Sequence, residues 1–182
     1  MYSVEGEQMR LYRYIGPSDI GARADAHPIG THITTPARLP EWIAATHQYA
    51  DAEGRIVATF VVTAEGILLI ADRASEHVQC AGGQSVRSAG EMAFACAGDG
   101  WRVEEVSNQS TGYCPEPESW PQVAAALDAI PLAHPGCFTM SCTLRRCPVC
   151  AQINIVKDEY FACAVCGADL PECWNLDADT AQ

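Results

Sequence analysis

Two short cysteine pairs constrain this chain more than anything else in it. Cys147-Pro-Val-Cys150 and Cys163-Ala-Val-Cys166 are separated by twelve residues, and Gly167 follows the second pair. A Cys-x-x-Cys turn aims both of its sulfurs at one point. Two such turns supply four thiolates at tetrahedral corners, the arrangement that Zn²⁺ accepts in structural sites. The intervening Gln152–Ala162 carries Ile153, Ile155, Val156, Tyr160 and Phe161, which suit a short hairpin holding the turns apart. Gly167 permits a left-handed backbone at the end of the second turn. This is a zinc-ribbon pattern with Cys147, Cys150, Cys163 and Cys166 as ligands. Four sulfur ligands leave no open coordination position, so the expected role is structural. A module as short as residues 141–182 cannot bury a large core, and metal binding supplies much of its folding energy.

The chain has ten cysteines, and the other six lack ligand spacing. Cys173 breaks the pairing and is left out of the site. Cys80, Cys96, Cys114, Cys137 and Cys142 read as small buried hydrophobes. The N-terminus shows neither the basic start nor the apolar stretch of a signal peptide. Metal binding in a reducing, cytoplasmic setting therefore explains the cysteines better than disulfides do.

Charge narrows the partners. Net charge is −12, with 8 basic and 17 acidic residues in 1–140 and 3 and 6 in 141–182. Neither part offers the basic face that nucleic-acid or anionic-membrane binding requires, despite the Arg145–Arg146 pair. A protein partner is expected instead. The longest apolar stretch, Ile56–Ala71, is interrupted by Glu65-Gly66 and reads as two strands around a turn rather than a membrane span.

Residues 1–140 read as one α+β domain and 141–182 as the ribbon module. Gln8–Ile15 alternates and predicts a strand that Gly16-Pro17-Ser18-Asp19 ends as a turn. Leu39–Ala50 predicts a helix with Pro40 in its first turn. Arg55–Thr63 and Gly66–Ala71 predict a hairpin. The second run, Ile67–Ile70, is apolar on both faces, as a central strand would be. Residues 80–90 read as loop. Glu91–Cys96 and Trp101–Val106 predict a strand pair around Gly98-Asp99-Gly100. A second helix starts near Ser119, with Val123, Leu127 and Ile130 on one stripe, and ends at Pro131. Phe138–Leu144 predicts one more strand. The expected fold class is α+β, a mostly antiparallel sheet with two main helices, followed by the four-cysteine ribbon.

Two polar stretches, Ser75–Met92 and Ser107–Pro115, hold His77, then Gly82-Gly83, then Ala89-Gly90, then Ser110, Tyr113 and Pro115. In this order they resemble the domain shared by plant IQ-motif proteins of the IQM type and bacterial proteins associated with polymorphic toxins. The resemblance covers residues 10–132 and extends upstream to Tyr14-Ile15-Gly16-Pro17. It implies architecture more than mechanism. Thr111-Gly112 stands where the family has Gly-His, and the chain has no IQ motif, so calmodulin binding is not expected.

The same residues can be read chemically. His77 offers a base, Glu91 at the start of a strand offers an acid, and Asn108, Ser110 and Tyr113 offer hydrogen-bonding groups. Gly82 and Gly83 let a ligand approach the backbone. Each has a plainer reading too: a hydrogen-bonded structural histidine, a strand-end carboxylate, turn formers and a core tyrosine. Glu41, Glu104 and Glu105 read as solvated.

Two functions follow. The first is a zinc-binding, non-enzymatic interaction or regulatory module in a larger assembly. The alternative is an enzyme using the His77/Glu91/Asn108/Ser110/Tyr113 pocket on a nucleotide-like molecule. Leu11-Tyr12-Arg13 and Ala89-Gly90-Glu91 loosely resemble the early Arg and late Glu of ADP-ribosyltransferase folds.

Overall fold

The run from Ile56 to Thr63 is apolar at odd and even positions alike, so a strand formed from it must be covered on both faces. That is its situation in the structure, a computed structural model that describes residues 10–26, 29–98 and 100–177. Five strands, β1 (Thr31–His32), β2 (Ile56–Thr63), β3 (Leu68–Asp72), β4 (Val86–Ala97) and β5 (Gly100–Val106), form one antiparallel sheet in the order β1-β3-β2-β4-β5. The helices are α1 (Ser18–Ala26), α2 (Arg38–Thr46), α3 (His77–Cys80) and α4 (Trp120–Asp128). The fold is thus α+β with a mostly antiparallel sheet and a four-cysteine group near the C-terminus. Among the described residues no helix is long and apolar enough to cross a membrane.

Alternation divides the core. Ala58, Phe60 and Val62 of β2, with Ile70, Met92 and Phe94 beside them, pack against Leu39 and Trp42 of α2 and Val123 and Leu127 of α4. On the other face Val61, Ala71 and Ala89 are covered by Tyr12, Ala24, Val78, Cys80 and Tyr113. Helix α2 stops at Thr46, not Ala50, because His47 turns left-handed (φ 53°) and the Gln48 N–H bonds back to the Ile43 carbonyl.

Several expectations need correction. Of residues 10–15 only Tyr12 forms a β-bridge, with Val86. Its ring is drawn into the second core cluster, and the segment runs on to Gly112, where the Ile15 N–H bonds a carbonyl. Gln8 and Met9, where the expected strand begins, and Asp99 of the expected turn lie outside the described residues. The turn at 16–19 is the start of α1, whose Ile20 and Gly21 N–H groups bond to the Pro17 carbonyl. The central strand is β2; β3 lies between it and the two-residue β1. The loop at 80–90 holds the end of α3 and the first residues of β4, so Glu91 sits in mid-strand. Cys80, Cys114 and Cys142 are buried as expected, but Cys96 and Cys137 are exposed.

Gly90 explains itself by space. It faces Phe60 in the ladder, and a Cβ there would collide with the Ser107 carbonyl. The obstacle is backbone, which cannot swing aside. Gly90→Ala is therefore expected to destabilise the fold by about 2 kcal/mol or more, as overpacking does. A urea-unfolding midpoint equal to that of the parent would contradict this.

Candidate metal centre

Strands β6 (Thr143–Arg146) and β7 (Ile153–Val156) form a separate antiparallel hairpin, and the first cysteine turn is its loop. The hairpin therefore spans the first Cys-x-x-Cys turn instead of lying wholly between the two, as the apolar residues of 152–162 suggested. The two turns repeat one geometry. The Cys147 N–H bonds the Gln152 carbonyl at 2.9 Å, and the Cys163 N–H bonds the Ala168 carbonyl at 2.8 Å. One residue earlier, the Ala151 and Gly167 N–H groups return to the Cys147 and Cys163 carbonyls, at φ 60° and 74°. Gly167 meets that requirement without strain; Ala151 meets it despite its Cβ.

The four sulfurs converge. Cys147 Sγ lies 3.5 Å from Cys166 Sγ, and Cys150 Sγ lies 3.5 Å from Cys163 Sγ. All four lie within 4.8 Å of one another. A tetrahedral ion with metal–sulfur bonds of about 2.3 Å requires sulfur separations of about 3.8 Å, so the group can hold a metal ion. The inner cysteines Cys147 and Cys163 are buried, and Cys150 and Cys166 are exposed. Backbone N–H groups point at the inner sulfurs, that of Cys150 chiefly at Cys147 and that of Cys166 chiefly at Cys163. They hold both thiols below the usual cysteine range, which favours the thiolate that binds metal.

Asn154 is the residue the sequence reading passed over. It is buried on β7 and spans the site. Its Oδ1 accepts the Ala164 N–H at 3.0 Å, and its Nδ2 donates to the Gln152 carbonyl at 2.8 Å and to Cys163 Sγ at 3.6 Å. One side chain thus ties the first turn to the second and solvates a ligand sulfur.

The cysteine group is mounted firmly on the rest of the chain. Arg145, 4% exposed, forks onto Glu116 at 2.7 and 3.1 Å, and also donates to the carbonyls of Glu172 and Leu144. Buried Asn108 donates to the Pro115 and Cys142 carbonyls and accepts the Cys142 N–H. The tail returns over the junction. Asn175 bonds both main-chain groups of Arg146, and the Trp174 indole donates to the Cys114 carbonyl. Leu176 is fully buried with Cys114, Cys142 and Leu144.

The residues of the expected polar pocket make the following bonds within the fold. His77 Nε2–H donates to the Gly90 carbonyl at 3.0 Å, and burial pushes its imidazole below the usual value. Asn108 serves the junction. Ser110 Oγ accepts the Tyr113 N–H, and the buried Tyr113 hydroxyl donates to the Gln84 carbonyl. Gly82 and Gly83 take φ of 59° and 76°, turning the chain from α3 toward β4. Glu91 faces Arg73 at 3.4 Å in an open cleft of about 360 Å³. Val57 and Ala93 line this cleft, with Arg55 and Glu105 at its wall. Arg55 pairs with Asp51 at 2.9 Å and Glu105 at 2.6 Å, so Glu105 is an ion-pair partner and not simply solvated.

Comparisons of the chain with family models, with curated proteins and with solved structures find no match.

Two outcomes follow from this geometry. Asn154→Ala is expected to weaken metal binding about tenfold, the loss typical when a ligand's supporting hydrogen bond is removed. Chelator competition measures it, and an unchanged affinity would contradict the role. His77 has a depressed folded pKa, so above its ordinary value of 6.5 both states are neutral and it contributes no pH dependence. Below that pH the unfolded chain takes up a proton that the folded chain refuses, and stability falls. His77→Gln is expected to flatten the loss of stability between about pH 7 and pH 5. Equal slopes for variant and parent would refute it.

Proposed function

We infer that the chain is a zinc protein whose ribbon is an interaction module held rigidly on an α+β domain. Zinc suits a tetrahedron of four sulfurs, and a closed set of ligands gives it a structural role. The observation that carries the interaction reading is the outer surface of the ribbon. Val149 and Val165, at matching positions of the two cysteine turns, are 73% and 69% exposed, and Tyr160 is 74% exposed. No charged residue occurs in 147–156 or 161–168, although the whole chain carries −12. Exposed apolar residues on cysteine turns that carry no charge are the features of a protein-binding surface. The thiolates suit a reducing compartment such as the cytoplasm. The catalytic reading draws less support, because Asn108, Ser110 and Tyr113 spend their polar groups on the backbone.

Protein purified without chelators is expected to hold one zinc per chain by elemental analysis. Val149→Asp combined with Val165→Asp is expected to keep that zinc while losing the proteins that the parent captures from a cell extract. Metal-free parent protein, or the same captured proteins with the double variant, would contradict the assignment.

A further inference from the structure

Among the described residues the strand edges are protected, with one exception. On β5, the Val103 N–H bonds the Ala133 carbonyl at 2.8 Å, and the Val106 carbonyl accepts the N–H groups of Thr139 and Met140. At the other end of the sheet β1 has two residues, too few to template a partner strand. In the ribbon, the outer edge of β6 is sealed by side chains. Asn175 takes both main-chain groups of Arg146, and the Arg145 guanidinium takes the Leu144 carbonyl.

The outer edge of β7 has no such cover. The bond from the Cys147 N–H to the Gln152 carbonyl fixes the phase of the ladder, in which Arg145 pairs with Asn154 and Thr143 with Val156. Antiparallel alternation then turns the main-chain groups of Ile153 and Ile155 outward. The Ile153 carbonyl accepts only the amide of exposed Gln152, at 3.0 Å. The Ile153 N–H and both main-chain groups of Ile155 make no hydrogen bond among the described residues. The Ile155 side chain is 44% exposed. Ile153–Val156 contains no charge, proline or glycine, the usual devices that discourage pairing at an edge.

We propose that this edge joins a second copy of the same chain, β7 against β7 about a two-fold axis, giving a continuous four-stranded ribbon sheet. Ile153 pairs with Ile155 of the partner subunit, and Ile155 with Ile153 of the partner subunit. The two pairs exchange four N–H···O bonds, with the Asn154 positions facing across the axis. Charge leaves this face, and few others, open to a second copy. The chain carries −12, so most faces of two copies repel, whereas no charge occurs from Cys147 to Val156. In this register Lys157 falls opposite Ala151 of the partner subunit, and no like charges meet. A basic foreign strand would find no carboxylate along the edge to recognise it. The pairing rests on the ribbon being an interaction module and gives it a second contact, the β7 edge, beside the exposed valines.

Light scattering coupled to size-exclusion chromatography, with zinc content measured on the same fractions, tests this. The chain mass is 19.6 kDa. Over roughly 5 to 200 µM the zinc-loaded parent is expected to rise toward twice that mass, since self-association follows concentration. Ile155→Lys is expected to stay monomeric throughout while keeping its zinc. Tyr49→Lys, distant in sequence on an exposed loop, is expected to dimerise like the parent. A zinc-loaded parent that stays monomeric overturns the pairing but leaves the metal assignment standing, and directs the edge to a foreign strand. A dimer unaffected by Ile155→Lys overturns it too. Parent protein without zinc overturns the metal reading itself.

Discussion

Four sulfurs packed within 4.8 Å of one another govern the C-terminal part of this protein. As thiolates they repel each other; as thiols they offer only weak hydrogen bonds. A divalent cation at their centre would convert that repulsion into a closed coordination shell, and its binding would become folding free energy for a segment with little core of its own. The apolar cluster beneath the site amounts to Cys147, Cys163 and Leu170, with Val156, Phe161 and Ala168 alongside. No comparable arrangement of His, Cys, Asp or Glu exists elsewhere among the described residues.

What a bound metal would fix locally, the junction would transmit. Arg145 next to the first cysteine turn is buried against Glu116, and the tail from Glu172 to Leu176 crosses from the second turn back onto the main domain. A buried ion pair of this kind adds little net stability over an apolar pair. It does make misdocking costly, because a displaced Arg145 would leave Glu116 without its partner. Asn108 acts alike, with every bond spent on main-chain groups of Pro115 and Cys142. The ribbon and the sheet therefore share one rigid frame, and the exposed valines of the cysteine turns are held at fixed positions on it.

The parts legible in the sequence were those set by local chemistry. Cysteine spacing identified the four sulfurs that converge, and the apolar runs around Phe60 and Leu68 identified the β2–β3 hairpin. Elements set by distant contacts were harder to see. Helix α1 shows only Ile20 and Ala24 as apolar anchors, too few to announce a stripe. Tyr12 alternates with its neighbours as a strand would, yet its ring is claimed by the second core cluster and Trp174. The turn at Ala151 has no glycine to signal its positive φ, which hid the loop between β6 and β7. The polar segments could be read as turns or as a binding pocket because Asn, Ser, Tyr and Gly serve equally in both. Their partners, such as Cys142 for Asn108, lie 34 residues away. The open cleft escaped notice because Arg55, Arg73, Glu91 and Glu105 come from four separate stretches of chain.

X-ray absorption at the zinc edge of the purified protein tests the central claim most directly. Four sulfur scatterers at about 2.3 Å, with no nitrogen or oxygen in the first shell, are the predicted result. A shell of mixed ligands, or one with fewer sulfurs, would mean that these cysteines do not close around a single ion.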